Sequence, residues 1–402
     1  GPDHPNTSNS LDRLASLYQE KGLYEKAEPL FKRALSIDEK NFREDHPSIS
    51  VKLNNFALFY MDQDLYKKAE KLFKRSLKIT EKNYAPINTK IATSLNNLGL
   101  LYLEQGLYKK AESFLLKALD IDEKVFGKIN QKVGIAAGNL AILYEDQGLY
   151  KKAEFYARKT LEIDFTLIQR EAPYLALSER NLFSESFGYT YERVFSYAFQ
   201  GETGKNIALF SRLNKQGLLE EIERRQAKLS VLPGPQKKVA NQLKKITQEV
   251  SSRDISDEER KNLLEEKQNL ERKLYRLLPE LKPRIVTVSQ IAKLIPKKSL
   301  LIEFIKYSPY SGSNIDEEKW GKERYLALTL NNNGDIDAID LGEAELIENK
   351  IQKALIASEQ FLSDAQELWN EVGNLVIKPL DKFIEDNETI FISPDAELNR
   401  IP

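Results

Sequence analysis

Apolar and polar positions in the first 170 or so residues repeat with a fixed period of 42 residues. Within each period, apolar side chains recur at helical spacing, as at Ala27, Phe31 and Ala34, so that one helix face is apolar. A constant period of this length predicts a stacked array of helical repeats. The phrase that marks the period reads Gly-Leu-Tyr or Asp-Leu-Tyr followed by a charged pair and Ala-Glu, and it occupies residues 22–28, 64–70, 106–112 and 148–154.

The start of this phrase predicts the turn between two helices. Gly22, Gly106 and Gly148 adopt a left-handed backbone at low cost because glycine has no Cβ. Small residues such as Ala15 and Ala27 let the two helices approach closely. Because one antiparallel pair cannot bury its apolar face alone, we predict that each pair packs on its neighbours.

The period also resembles a known family. The repeats resemble tetratricopeptide repeats, which usually span about 34 residues; the longer period and its Asp-His-Pro connector resemble those of kinesin light chains. The connector occurs at residues 1–5 and 44–47, so we expect the chain to come from a longer array, a Gly-Pro tag remnant being the alternative. The resemblance rests on Leu14, Ala15, Tyr18, Ala27, Phe31 and Ala34.

A divergent fifth helical pair is predicted after the fourth repeat, at residues 173–199 and 205–219, with Gly201 and Gly204 at its turn. The array would then span residues 1–219. Aromatic residues crowd this pair, which favours a buried seam over an aromatic ligand cage: Phe183, Phe187, Tyr189, Tyr191, Phe195, Tyr197 and Phe199.

A helical hairpin is predicted at residues 220–283. The run Leu232-Pro233-Gly234-Pro235 ends the preceding helix, and Ser256 with Glu259 forms a capping-box signature at the start of the second arm. Apolar residues on both arms predict a coiled-coil-like seam; they are Val239, Leu243, Ile246, Val250, Leu263, Leu270, Leu274, Leu277 and Leu281.

From Pro283 onward the apolar period changes to that of strands. The run from Asn331 to Gly334 has the chemistry of a hairpin turn. The order of elements is that of the start of an α/β sheet rather than a finished one. Strands are predicted at 284–288, 299–306, 324–330, 336–341 and 389–392, and helices at 344–358 and 361–383.

Residues 284–402 resemble the opening of a CHAT domain, the caspase-like domain related to separase that is often fused to tetratricopeptide repeats. In that family the catalytic histidine and cysteine lie further along, and no residue of this sequence matches either. The resemblance implies a mainly α protein: a repeat solenoid, a helical hairpin and a partial α/β domain. It rests on Leu301–Phe304, Tyr307, Arg324–Ala327, Asp340–Gly342, Ile392–Asp395, Leu398 and Ile401–Pro402.

Composition narrows the function classes. The net charge of −1 gives no overall electrostatic case for nucleic acid or a membrane surface, and no apolar run suits a membrane span. The sequence has no cysteine, which removes thiolate catalysis and zinc–thiolate sites. Its two histidines, His4 and His46, precede proline at helix starts, where a structural role is expected. We therefore expect no metal, no cofactor and no catalytic residue here, and a cytoplasmic location.

The predicted recognition surface lies on the first helix of each repeat, which lines the groove in the resembled family. An asparagine amide both donates to and accepts from a peptide backbone, so recurring asparagines suit an extended segment. The alternative is bonding between repeats, which we favour for Asn55, Asn97 and Asn139 but not for Asn54 and Asn96. The predicted groove residues are Asp12, Arg13, Asn54, Asn55, Leu58, Asn96, Asn97, Leu100 and Asn139, with Met61 and Leu103 nearby.

The resemblances together imply an interaction scaffold that binds a partner protein or peptide. In the intact protein the array would regulate an attached caspase-like cysteine peptidase, with the helical hairpin as coupling element. Two alternatives stay open: a non-enzymatic adaptor akin to a kinesin light chain, and a self-assembling scaffold with a pseudo-protease domain. Carboxylate pairs such as Glu258-Glu259 and Glu317-Glu318 have no evident cleft, so we expect no activity from them.

Overall fold

The computed structural model describes residues 1–174, 192–250, 256–310 and 320–401. The chain forms two compact units. One contains Gly1–Leu143 with Lys245–Asn269, and the other contains Tyr144–Lys244 with Leu270–Pro402. The helical hairpin therefore contributes residues to both units, while the predicted boundaries at residues 219 and 283 remain predictions.

The first three 42-residue repeats are pairs of packed helices, as the apolar period predicts. The second helix of the first pair runs to Asn41, beyond the usual length of the repeat. The mainly α fold class, with helices in solenoid repeats and a small mixed sheet towards the C-terminus, is confirmed. The repeat helices are α1 (Pro5–Glu20), α2 (Tyr24–Asn41), α3 (Pro47–Met61), α4 (Tyr66–Asn83), α5 (Thr89–Glu104), α6 (Tyr108–Phe126), α7 (Gln131–Asp146) and α8 (Tyr150–Glu171).

The turn inside each repeat is a left-handed helix end. In the first repeat the backbone N–H of Leu23 donates to the Tyr18 carbonyl across 2.8 Å, and Gly22 has a φ of +68°. In the second repeat Asp64 occupies the same position with a φ of 58°, and its carboxylate accepts a hydrogen bond from the Tyr66 hydroxyl. An aspartate tolerates this backbone better than most residues because its short side chain bonds locally. The predicted conformation is also confirmed at Gly106 and Gly148.

Both histidines cap helices, which is the structural role predicted for them. The Nδ1 atoms of His4 and His46 accept hydrogen bonds from the backbone N–H groups two residues ahead, at 3.1 and 3.2 Å. Asparagine takes over this role in the later repeats, where Asn88 and Asn130 accept from backbone N–H groups at 2.9 Å. A side-chain acceptor satisfies a donor that the helix start leaves open.

Aromatic side chains join the first repeat to the second. Phe31 of α2 packs on Phe56 and Phe59 of α3, with ring centroids 5.7 and 5.3 Å apart. The Tyr60 hydroxyl donates to Glu28 of the previous repeat across 2.9 Å. The pKa of Glu28 is lowered chiefly by a hydrogen bond from Lys32 and secondly by this hydrogen bond from Tyr60. Polar and apolar contacts thus hold successive repeats in one register.

A buried polar position recurs late in the second helix of each repeat. Asp38 accepts from the Ser48 hydroxyl, and Thr80 donates to the carbonyl four residues earlier. Asp122 occupies the same position, but its buried Oδ1 has no hydrogen-bond partner among the described residues. Burial raises the pKa of Asp122 to about 6. Folding therefore favours the protonated acid.

Replacing Asp122 by threonine, the residue at position 80, is expected to stabilise the protein at pH 7 by on the order of 2 kcal/mol. Because the folded-state pKa is raised, the wild-type side chain favours folding below pH 4. That contribution is lost as the pH rises from about 4 to about 6. Helix unfolding in urea, followed by circular dichroism across this range, would show a midpoint difference that grows with pH. A difference independent of pH would contradict the assignment.

The helices after the repeats differ in part from the predicted fifth pair. The residues Phe183, Phe187, Tyr189 and Tyr191, and most of the predicted helix 173–199, lie outside the described residues. Val194–Phe199 forms a 3₁₀ turn, followed by α9 (Glu202–Lys215) and α10 (Leu218–Ser230). Gly201 caps α9 with a φ of +86°, as expected of a turn glycine. The prediction for Gly204 was wrong, because it lies inside α9 against Tyr197.

The helical hairpin consists of α11 (Gly234–Val250) and α12 (Asp257–Leu277). Near its base, Val239, Leu243, Leu274 and Leu281 form one buried cluster. The predicted cap is present, since the Ser256 hydroxyl accepts from the Glu259 N–H across 3.2 Å. Leu277 was wrongly placed in the seam: its side chain is 45% exposed.

The strand predicted at 284–288 is absent, and Val288 instead begins a short helix. The Gln169 amide accepts from the Arg284 N–H and donates to the Arg284 carbonyl, at 2.9 and 3.0 Å. Asn214 makes the same pair of hydrogen bonds with the Val286 backbone, both at 2.8 Å. Two side-chain amides therefore replace a neighbouring strand. The short helix α13 (Val288–Ala292) follows, with Thr287 and Gln290 forming a capping box.

The sheet has the order β3-β2-β1-β4. β1 pairs antiparallel with β2 and parallel with β4, and β2 pairs antiparallel with β3 through the predicted Asn-Gly hairpin. Side chains of β1 and β2 form a core with the two longer helices that follow β3. The elements are β1 (Ser299–Tyr307), β2 (Arg324–Asn331), β3 (Ile336–Glu343), α14 (Ala344–Glu359), α15 (Ala365–Val376), α16 (Asp381–Ile384) and β4 (Thr389–Ser393).

Two predictions in this region were wrong. The helix predicted at 361–383 is interrupted, because Phe361 lies in the preceding turn and the 3₁₀ turn Lys378–Leu380 separates α15 from α16. The strand predicted as buried at 389–392 is β4, which pairs only with β1 among the described strands and on which Phe391 and Ile392 are 44% and 56% exposed. An apolar run alone does not distinguish a central strand from an edge strand.

Candidate functional site

The asparagines on the first helices form hydrogen-bonded pairs between neighbouring repeats. The Nδ2 group of Asn97 in α5 donates to Oδ1 of Asn54 in α3 across 2.8 Å. Asn139 in α7 donates in the same way to Asn96 in α5, also across 2.8 Å. Each pair joins residues 43 positions apart, so both members take part in bonding between repeats. All four side chains remain half-buried rather than enclosed.

The pair nearest the N-terminus contains an acid in place of an amide. Asn55 donates to Oδ2 of Asp12 across 2.8 Å, and the buried Lys52 ammonium lies 3.4 Å from the same oxygen. Lys52 also donates to Asn9 across 2.7 Å. Burial raises the pKa of Asp12, while Lys52 and Asn55 oppose that shift. Sequence reasoning missed Lys52, because a lysine at helical spacing usually indicates a solvated face.

Apolar rows flank the asparagine pairs. Leu58 and Leu100 are half-buried, as is Ile142 at the equivalent position of α7. On the other side lie Val51 and Ile135, which are 51% and 54% exposed, and the polar Thr93 occupies the equivalent position of α5 between them. Residues 51, 54, 55 and 58 are spaced i, i+3, i+4 and i+7, which places them on one helix face.

The remaining predicted residues divide between surface and core. Arg13 is exposed on α1, and Met61 is half-buried at the end of α3. Leu103, which was expected near the groove, is only 6% exposed and belongs to the core. Sequence reasoning missed Val51 and Ile135, although their spacing from the asparagines was a usable signal.

A buried ion network lies at the ends of β1 and β4. The Arg212 guanidinium donates from Nε to Glu303 across 3.0 Å and from Nη2 to the Pro394 carbonyl across 3.2 Å. Asp395 accepts from the Lys306 N–H across 3.0 Å, which fixes the turn after β4. Burial raises the pKa of Glu303, against the opposing effects of Ser393 and Arg212. Arg212 thus joins Glu303 of β1 to the turn after β4 and acts as a structural anchor for that turn.

Two classes of site are not seen. In residues 1–174, 192–250, 256–310 and 320–401, no group of three or more potential ligands is placed to hold a metal ion. Within the same part of the chain, every helix is too short or too polar to cross a membrane.

Comparison with known proteins identifies the class of the repeat region. Residues 1–40, 48–124 and 90–164 match the family model described as tetratricopeptide repeat. The N-terminal part of the chain is therefore similar to tetratricopeptide repeats, and its helices form an α-solenoid of such repeats. A search of curated proteins found no match to the chain.

Several solved structures resemble part of the chain. BtubC (BKLC) from P. vanneervenii is 19% identical, with a TM-score of 0.38 over 57% of this chain and 84% of that one. A kinesin light chain with nearly identical TPR-like repeats, described as putative, from Podosopora anserina is 21% identical, with a TM-score of 0.37 over 57% of this chain and 99% of that one. The apo form of RapI is 20% identical, with a TM-score of 0.36 over 56% and 85% of the two chains.

Proposed function

We propose that the repeat array binds an extended segment of a partner protein across α1, α3, α5 and α7. The asparagine pairs carry this proposal. Each Asn–Asn bond uses the Oδ1 of one residue and the Nδ2 of the other. Among the described residues no further hydrogen bond is made by the Nδ2 groups of Asn54 and Asn96 or the Oδ1 atoms of Asn97 and Asn139.

The unused groups match the needs of a peptide backbone. A backbone in extended conformation offers alternating N–H donors and C=O acceptors. The bond within each pair holds both amides in a defined orientation before a ligand arrives, which lowers the entropic cost of binding. The half-buried Leu58 and Leu100 supply apolar contact beside this polar strip.

A random peptide display library, selected on the intact chain, tests the proposal. We expect selected peptides to lose about fivefold or more in affinity on Asn54→Ala and again on Asn96→Ala, since each lost hydrogen bond contributes about 1 kcal/mol. Asn333→Ala, at an exposed hairpin turn, is the matched control and should leave binding unchanged. Fluorescence anisotropy gives the affinities.

Thermal melting of the same variants separates binding from stacking. Loss of the bonds to Asn97 and Asn139 should lower the melting temperature modestly in either case. An unchanged affinity combined with a lower melting temperature would assign the asparagines to stacking alone. Failure to select any peptide would reject the groove as a peptide site.

We also propose that this array regulates a caspase-like domain whose N-terminal part is residues 284–402. The support is topological: β1 and β4 are parallel neighbours joined by a crossover that contains α14 and α15, as in α/β folds. In addition, Arg212 donates a hydrogen bond to the Pro394 carbonyl in the turn after β4. The non-enzymatic adaptor remains the alternative, and the cytoplasm is the proposed location in both cases.

Hydrogen exchange tests this second proposal. Regulation requires that a selected peptide changes exchange in β1, β4 or the turn at Ser393–Asp395. Protection confined to α1, α3, α5 and α7 would favour the adaptor instead.

A further inference from the structure

We propose that the segment bound by the array is cationic, with arginine or lysine at alternate positions, an inference that rests on the peptide-binding function proposed above. It comes from a row of carboxylates that continues the asparagine-bearing helix faces. The row contains Glu20, Asp62 and Glu104, all exposed and separated by 42 residues. Asp62 lies eleven residues after Val51, which is three helical turns along the same face.

The position of these carboxylates is unfavourable for the helices that carry them. Glu20 and Glu104 are the last residues of α1 and α5, and Asp62 caps the C-terminus of α3. The C-terminal end of a helix carries partial negative charge, so a carboxylate there destabilises the helix slightly. A repeated departure from a local stability rule is expected where a residue serves binding.

Within the described residues, none of the three forms an ion pair. Asp62 accepts a hydrogen bond from the neutral amide of Gln19, which leaves its charge uncompensated. The repeated lysines that open the second helices are engaged with aromatic rings instead. Lys68 and Lys110 lie over the rings of Tyr60 and Tyr102, at 4.8 and 5.1 Å from their centroids.

The order of the rows across the face defines the ligand. From one side to the other, the face of α3 presents Val51, then the asparagines, then Leu58, then Asp62. The neighbouring helix α5 presents Thr93, asparagines, Leu100 and Glu104 in the same order. An extended backbone lying over the asparagines directs alternate side chains to opposite sides. On the Leu58 and Leu100 side, a long side chain would cover the leucine before it reaches the carboxylate.

Arginine and lysine side chains can both cover the leucine and reach the carboxylate. Their aliphatic stems pack on apolar surface while the charged head extends beyond it. On the Val51 side, short apolar residues such as valine fit the exposed β-branched row. The occupant is therefore an extended segment that alternates apolar and basic residues, with the basic side chains directed to the helix C-termini.

Three labelled eleven-residue peptides test the inference by fluorescence anisotropy on the intact chain. Each alternates valine with arginine, with its neutral isostere citrulline, or with glutamate. We expect the arginine peptide to bind at least tenfold more tightly than the citrulline peptide, and the glutamate peptide to bind most weakly. A fourth peptide with a short-stemmed cation, diaminopropionic acid, should lose affinity because its stem does not span the leucine row.

Charge reversal identifies the carboxylates responsible. Glu20→Lys with Glu104→Lys should weaken the arginine peptide at least tenfold and strengthen the glutamate peptide. Glu345→Lys with Glu359→Lys, which changes exposed acids of α14 by the same charge, is the matched control and should have no effect. Circular dichroism would confirm that both double variants stay folded.

Three outcomes would overturn the inference: arginine and citrulline peptides within twofold of each other, an arginine peptide unaffected by charge reversal, or no binding at 1 mM. The proposed groove is judged separately. If library-selected peptides depend on Asn54 and Asn96 but not on the carboxylates, the groove stands and only its preference for basic segments is rejected.

Discussion

Replacing Gly204 by alanine is expected to destabilise the second unit by about 3 kcal/mol, at the upper end of the cost of overpacking. An alanine Cβ would lie 1.8 Å from the carbonyl oxygen of Tyr197 and 2.7 Å from its carbonyl carbon. Because both atoms belong to the backbone, α9 or the 3₁₀ turn must move. Neighbouring side chains on α9, including Ile207 and Phe210, are fully buried and would move with it.

Tryptophan fluorescence during urea denaturation measures this effect. Trp320 and Trp369 are the two tryptophans of the sequence, and both belong to the second unit. Gly373→Ala is the matched control, since an alanine Cβ there meets no atom within 4 Å inside α15. That variant should be stabilised by about 0.5–1 kcal/mol, because alanine loses less entropy than glycine in a helix. Equal urea midpoints for Gly204→Ala and wild type would contradict the close approach of Gly204 to the Tyr197 backbone.

Arg212→Met is expected to destabilise the same unit by about 3–5 kcal/mol, because it leaves a buried carboxylate without its counter-charge. Arg212 and Glu303 are 7% and 4% exposed. The substitution also removes the donor to the Pro394 carbonyl that holds the turn after β4. Arg324→Met, which breaks the more exposed pair with Asp340, should cost only about 0–1 kcal/mol.

Two further measurements separate a lost charge pair from lost packing. Replacing Glu303 by leucine in the Arg212→Met background should restore most of the stability, since an apolar pair of similar volume is often neutral. The deficit of the single variant should also shrink at low pH. The folded-state pKa of Glu303 is already raised by burial and would rise further without Arg212, so protonation relieves the cost as the pH falls. A pH-independent deficit with no rescue would point to packing.

The repeat array was predictable because its determinants are local and occur four times. Gly22 and its counterparts define the turns, and Ala27, Phe31 and Ala34 define the buried face by spacing alone. The histidine caps were equally accessible, because the residue before proline at a helix start has few other roles. The asparagine positions were also found, although their bonding partners depend on how neighbouring helices stack.

Predictions failed where residues distant in sequence take the place of the hydrogen-bond partners that a regular sheet would supply. The segment 284–288 has the composition of a strand, but its backbone pairs with the Gln169 and Asn214 side chains, which lie 115 and 72 residues away. Similarly, β4 has an apolar sequence typical of a central strand, yet among the described strands it pairs only with β1. Gly204 looked like a turn residue because close contact with Tyr197 leaves no trace in the sequence around it.

Periodicity along the chain was thus sufficient for the helices, their turns and the faces that they bury, because these follow from backbone geometry over a few residues. Periodicity was not sufficient to predict the ion pairs of Lys52 with Asp12 and of Arg212 with Glu303. Nor did it predict that Val51 and Ile135 are exposed. The ion pairs depend on which distant segments come into contact, and the exposed side chains depend on which surfaces no other segment covers. Only tertiary packing determines both, because the burial of a side chain is set by its folded surroundings and not by its residue type.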